Sequence, residues 1–139
     1  MNVLKKQVGG NHYKDLIIQP VELYAATQCN AFQANIWKYL ARYPYKNGKE
    51  DIEKAKHYAS LAQELLIDGQ GALARISSDC QALPTCALQL VEYFCRANRF
   101  NVRQTKAIKA AAKGNYSSVI TECILLIEEA YGEGANKSE

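Results

Sequence analysis

Apolar residues return at helical intervals along most of the chain. Phe32, Ile36, Tyr39, Leu40 and Tyr43 share one stripe and predict a helix over about 31–43, with Asn30 placed as its N-cap. An earlier helix starts at Gln19-Pro20, where proline suits the first helical position, and runs to about Thr27. A third covers about 50–67. Glu50, Asp51 and Glu53 favour its N-terminus, and Ile52, Ala55, Ala59, Ala62 and Leu66 make a seam of mostly small residues. Pro44 and Gly48 turn the chain between the second and third helices, so 35–58 reads as a helical hairpin. It buries Phe32, Ile36, Tyr39, Leu40, Ile52, Leu61 and Leu65.

Asp68-Gly69-Gln70-Gly71 ends this first part and marks a boundary between 1–68 and a helical extension, 69–139, that packs on it. The extension predicts a short helix near 72–76, a helix from about Thr85 to Ala97 and another over Val102–Lys113. A last helix is capped by Ser117 or Ser118 and stops after Tyr131 at Gly132. No internal repeat is visible. The fold class expected is all-α, a bundle of six or seven helices built on the N-terminal hairpin.

The hairpin carries more polar chemistry than packing needs. Asn35, Lys38 and Arg42 lie at i, i+3 and i+7 of one helix, and Asp51, Lys54 and Tyr58 repeat that spacing on the next. Lys38, Arg42, Lys46 and Lys54 can converge on an anion, with arginine gripping phosphate bidentately and the lysines adding point charges. Asn35 suits a base or a ribose hydroxyl, and Tyr13, Tyr39 or Tyr58 suits stacking on a base. Each also has a structural role open to it: Tyr39 in the core, Asn35 as a local hydrogen-bonding group, Lys54 paired with Asp51 or Glu50. His12-Tyr13 follow Gly9-Gly10, either closing over a ligand or anchoring an arm.

Composition narrows the classes. The chain has 139 residues, 48% of them apolar, and a net charge of +3. That is enough for a packed core, and no stretch approaches the roughly 20 apolar residues of a membrane span. The start has no apolar run behind its lysines, so no signal peptide is expected and the location expected is cytoplasmic. Five scattered cysteines and two histidines show no zinc spacing, so buried thiols in a reducing compartment are expected rather than disulfides or a metal site. No glycine-rich phosphate loop and no nucleophile–base arrangement is present. A second polar feature lies in 93–121, which holds six basic residues and no acidic one. Arg99, Arg103, Lys106, Lys109 and Lys113 recur at roughly helical spacing, as a nucleic-acid backbone or a solvated face would use them. The seam on the third helix and the apolar last helix (Val119, Ile120, Ile124, Leu125, Leu126, Ile127) also predict a homo-oligomer.

Several short motifs occur in order: His12-Tyr13, Ile18-Gln19-Pro20-Val21-Glu22, Asn35-x-x-Lys38-Tyr39-x-x-Arg42, Lys46-x-Gly48 and Asp51-x-x-Lys54-Ala55-x-x-Tyr58. Over about 11–65 this pattern resembles the SaV-like family of bacteriophage proteins. The chain departs from the family pattern at Gln33-Ala34 and at Tyr43-Pro44-Tyr45. The resemblance implies a phage protein acting in the cytoplasm of an infected bacterium. Some relatives are described as nucleotide kinases that work on deoxynucleoside monophosphates without a phosphate loop. It makes Asn35, Lys46, Lys54 and Tyr58 candidates for a nucleotide site closed by His12 and Tyr13. Lys38 and Arg42 would then stabilise the transferred phosphoryl group, with Mg²⁺ bridging phosphates only in that kinase reading. Two alternatives stand beside it. One is a counter-defence protein that sequesters a host signalling nucleotide without chemistry. The other is a nucleic-acid- or host-protein-binding factor using the basic helix.

Overall fold

The computed structural model describes residues 3–5, 16–73 and 82–132. His12, Tyr13, Cys80 and most of the short helix expected near 72–76 lie outside the described residues. Among the described residues six α-helices are present: α1 (Pro20–Thr27), α2 (Ala31–Arg42), α3 (Lys49–Ala62), α4 (Thr85–Ala97), α5 (Val102–Ala112) and α6 (Tyr116–Tyr131). No strand occurs among the described residues, so the expected all-α class holds.

The helix starts follow local chemistry. Gln19 and Glu22 bond reciprocally at the head of α1, behind Pro20. Asn30 and Gln33 form the same box at α2, and Asn101 and Gln104 at α5. Two boundaries differ from expectation. The last helix starts at Tyr116 because the Asn115 side chain, not a serine, accepts the N–H of Ser118. The third helix is regular only to Ala62 and then widens into one π turn over Gln63–Ile67, where Asp68 N–H bonds the Gln63 carbonyl at 2.9 Å.

One apolar core runs through all six helices. Ile36, Trp37, Leu40 and Ala41 of α2 and Ile52, Ala55, Ala59 and Ala62 of α3 are fully buried with Phe94, Ile108, Ala111, Val119 and Cys123. The alanine seam of α3 is covered from within the chain, because α6 packs along it. This answers one of the two grounds for expecting a homo-oligomer; on the other, the apolar last helix, Ile124 stays exposed. Cys95 and Cys123 are buried, and burial pushes both thiols up to about 12. Cys86 is exposed.

The packing is organised as two halves. In each, the first helix packs on the second and the second on the third; across the halves, α1 meets α4, α2 meets α5 and α3 meets α6. The bonds at the α2–α5 crossing are reciprocal. Gln33 donates to the Ala111 carbonyl at 3.0 Å, and Gln104 donates to the Leu40 carbonyl at 2.6 Å. Between them Trp37 Nε1 donates to the Ile108 carbonyl at 3.0 Å. Each capping asparagine also reaches a tyrosine of the other half: Asn101 donates to Tyr43 at 2.8 Å and Asn30 to Tyr116 at 3.3 Å. Asn30/Asn101, Gln33/Gln104 and Lys38/Lys109 are all 71 positions apart, as are Gln28 and Arg99, the two non-glycine residues of positive φ among those described. The expectation of no repeat is thus corrected. The halves share caps and a left-handed corner but few core side chains: Trp37 stands where Ile108 does, and Leu40 where Ala111 does. An apolar pattern does not register such a match.

Candidate functional site on the α2–α3 hairpin

The hairpin is closed by a buried ion pair. Arg42 meets Asp51 with two parallel bonds, Nη2 to Oδ1 at 3.0 Å and Nε to Oδ2 at 3.2 Å. Asp51 is fully buried and also accepts the Asn47 N–H at 3.2 Å. It lies in the first turn of α3, where a negative charge meets the helix dipole. Gly48, just before it, adopts φ +55°, which a side chain would strain. The arginine expected to grip phosphate is therefore turned into the hairpin, with its side chain only 11% exposed. Geometry explains this: a planar fork matches a carboxylate, and Asp51 is brought opposite by the turn.

Around this pair the remaining hairpin residues gather on Tyr39. Its ring is partly buried and packs against the apolar core. Tyr58 stacks on it, with centroids 5.9 Å apart and planes at 19°. Lys38 Nζ lies 4.4 Å from the Tyr39 centroid, Arg42 Cζ 4.6 Å and Lys54 Nζ 5.5 Å. Lys54 has a loose surface partner, Glu50 at 3.8 Å, and Lys38 has no acidic partner among the described residues. Two half-exposed ammonium groups thus flank a pair of stacked phenols.

Other expected residues are not drawn in. Asn35 donates to the Ala31 carbonyl of its own helix at 2.8 Å, and Lys46 is exposed in the turn. Two of the five residues of the basic run are neutralised. Arg103 binds Glu129 at 2.9 Å and Glu122 at 3.2 Å, and Lys109 binds Glu92 at 2.6 Å. The hydrogen bond from Lys109, then its charge, holds the Glu92 carboxyl below its usual range. Arg99 lies in a turn outside the helix. Only Lys106 and Lys113 of the run lie on or at the end of α5 without an ion pair among the described residues.

The carboxylates nearby do not fit a protein-held magnesium. Asp51 is buried behind Arg42 and Asn47, Glu50 faces Lys54, and no group of three metal-ligating side chains assembles among the described residues.

A small cavity of about 100 Å³, missed at the sequence level, opens beside Lys38 and is lined by Gln19, Pro20, Val21, Tyr24 and Lys38. Tyr24 is held there by stacking on buried Trp37, centroids 6.4 Å apart. Its signal in the sequence was faint, since α1 is short and only weakly two-faced.

The described chain is an all-α, two-half bundle with a cation-and-phenol cluster on its first hairpin. Residues 8–60, less than half of it, match a family described as a protein of unknown function (DUF3310). That stretch takes in α1, α2 and most of α3, and so the cluster. No curated protein and no solved structure matches the chain.

Proposed function

We propose that the protein binds a nucleotide, with Lys38 and Lys54 on its phosphate and the Tyr39–Tyr58 pair beside it. The observation that carries this is the convergence of two lysines, one without an acidic partner among the described residues, on one stacked pair of phenols. The motif order shared with SaV-like phage proteins, which underlies the phage and cytoplasmic expectations, supports the same reading. The family matched over 8–60 carries no function that could add to it.

Holding is favoured over transfer. A kinase needs cations free to follow charge onto the moving phosphoryl group. Here Arg42 is engaged by Asp51, and no group of three metal-ligating side chains assembles among the described residues. Sequestration of a nucleotide asks only for the lysines and the aromatic platform. Nucleic-acid binding is less supported, because Arg103 and Lys109 are already paired with carboxylates.

Thermal-shift screening with mono-, tri- and cyclic nucleotides tests the proposal. A specific ligand at a hundred times its Kd stabilises by about 2.7 kcal/mol. Stabilisation should fall in Lys38→Ala and Lys54→Ala. If no nucleotide shifts the unmodified protein, the reading fails. Incubation with ATP, Mg²⁺ and a deoxynucleoside monophosphate should give no diphosphate; its formation would restore the kinase reading.

A further inference from the structure

The two halves offer an internal comparison that bears on the cavity beside Lys38. Lys38 and Lys109 each lie eight residues after a capping asparagine, Asn30 and Asn101. Val21 and Glu92 each lie nine residues before it, on α1 and α4. Both corners turn through a left-handed residue, Gln28 at φ 55° and Arg99 at φ 56°. In the second half, the Glu92 carboxylate crosses from α4 to bind Lys109 at 2.6 Å. In the first half, the matching position is Val21. No carboxylate reaches Lys38 among the described residues, and a cavity of about 100 Å³ is lined by both Val21 and Lys38. The second half thus shows what this corner accepts: one anionic group delivered onto the lysine from the side of the first helix.

We infer that the α1–α2 cavity is a ligand subsite, in which the phosphate of a nucleoside monophosphate takes on Lys38 the place that Glu92 takes on Lys109. The inference rests on the nucleotide reading above for the identity of the ligand, and adds where the ligand lies. The cavity, lined also by Gln19, Pro20, Val21 and Tyr24, has room at about 100 Å³ for the phosphate and not for a whole nucleotide, so the base lies outside it, toward the Tyr39–Tyr58 pair. The cluster side of Lys38 then faces Tyr39, so a single ammonium links cavity and platform.

The test installs the second half's carboxylate in the first. Val21 is half exposed, so Val21→Glu places its charge at the surface within reach of Lys38. Binding of the four deoxynucleoside 5′-monophosphates is measured by calorimetry for the unmodified chain, Val21→Glu, Val21→Gln and Lys54→Ala. The inference expects at least a tenfold weaker Kd in Val21→Glu and a clearly smaller loss in Val21→Gln, which fills the same space without charge. Unchanged binding in Val21→Glu together with weakened binding in Lys54→Ala overturns the cavity assignment and leaves the nucleotide reading standing. Equal losses in the Glu and Gln variants overturn the charge mimicry. No binding of any monophosphate to the unmodified chain overturns the cavity assignment, and the thermal-shift screen with tri- and cyclic nucleotides decides the nucleotide reading separately. Should Val21→Glu lose its cooperative melt, Val21→Gln against Lys38→Gln makes the same distinction: the inference then requires the larger loss in Lys38→Gln.

Discussion

The two halves of the molecule share one helical arrangement and differ in how the lysine at the matched position is met. Each has a corner, a capped central helix with a buried glutamine at its third position, and an outer helix. In the second half two of six cations are answered, Lys109 by Glu92 and Arg103 by Glu122 and Glu129, while Arg96, Arg99, Lys106 and Lys113 have no ion pair among the described residues. In α1–α3 the most buried cation is answered completely, by Asp51, while Lys38 has no acidic partner among the described residues and Lys54 only a loose one. At matched positions Lys109 carries a carboxylate and Lys38 has none among the described residues, and the proposed site rests on that contrast.

The sharpest break between the halves should come at Arg42 and its counterpart Lys113. Arg42→Ala leaves Asp51 buried without its charge partner, and losing one member of a buried pair costs about 3–5 kcal/mol. Lys113 is exposed, so Lys113→Ala should stay within about 0.5 kcal/mol. Urea unfolding of both variants checks this. Similar losses in the two would mean that the hairpin does not depend on the pair.

A smaller asymmetry is expected between the reciprocal glutamines. The Leu40 carbonyl would ordinarily accept a helical N–H from residue 44, but Pro44 has none, so Gln104 is the donor in its place. The Ala111 carbonyl keeps the Gly114 N–H at 3.0 Å when Gln33 is removed. Leaving a buried acceptor unsatisfied costs about 1–3 kcal/mol. Gln104→Ala should therefore lie toward the upper end of that range and Gln33→Ala toward the lower, by the same unfolding experiment.

The fold was more legible than the site, for reasons that lie in particular residues. Caps and prolines are local, so Pro20, Asn30 and the breaks before Thr85 and Val102 could be read directly. The π turn after Ala62 and the Asn115 cap depend on which of several near-equal local bonds forms, and were not. At the site, spacing correctly brought Lys38, Lys54 and Tyr58 to one region around Tyr39. It could not show that Arg42 turns inward, because that depends on the tightness of the turn at Gly48. The pairing of Lys109 with Glu92 spans two helices and is invisible to a reading by single faces.

The mildest prediction concerns alkaline pH. Burial raises Cys95 and Cys123 from 9.0 to about 12. Burial also raises Tyr43 and Tyr116 above 10.0, against the opposing effect of the asparagine bonds. Groups raised on folding hold more protons in the folded chain. Their contribution is fully present below the unfolded values and is lost as pH rises through the folded ones. Stability should be flat in these terms below about pH 9 and decline from there toward pH 12. Cys95→Ala and Cys123→Ala should each flatten the decline. An unchanged slope in both would show that the thiols are not the cause.

The most direct test of the whole account is a calorimetric titration of deoxynucleoside monophosphates into the unmodified chain, Lys38→Ala and Lys109→Ala. The account predicts one site per chain, weakened at least tenfold by Lys38→Ala and unaffected by Lys109→Ala. Two equal sites, or binding that survives the loss of Lys38 but not of Lys109, would contradict it.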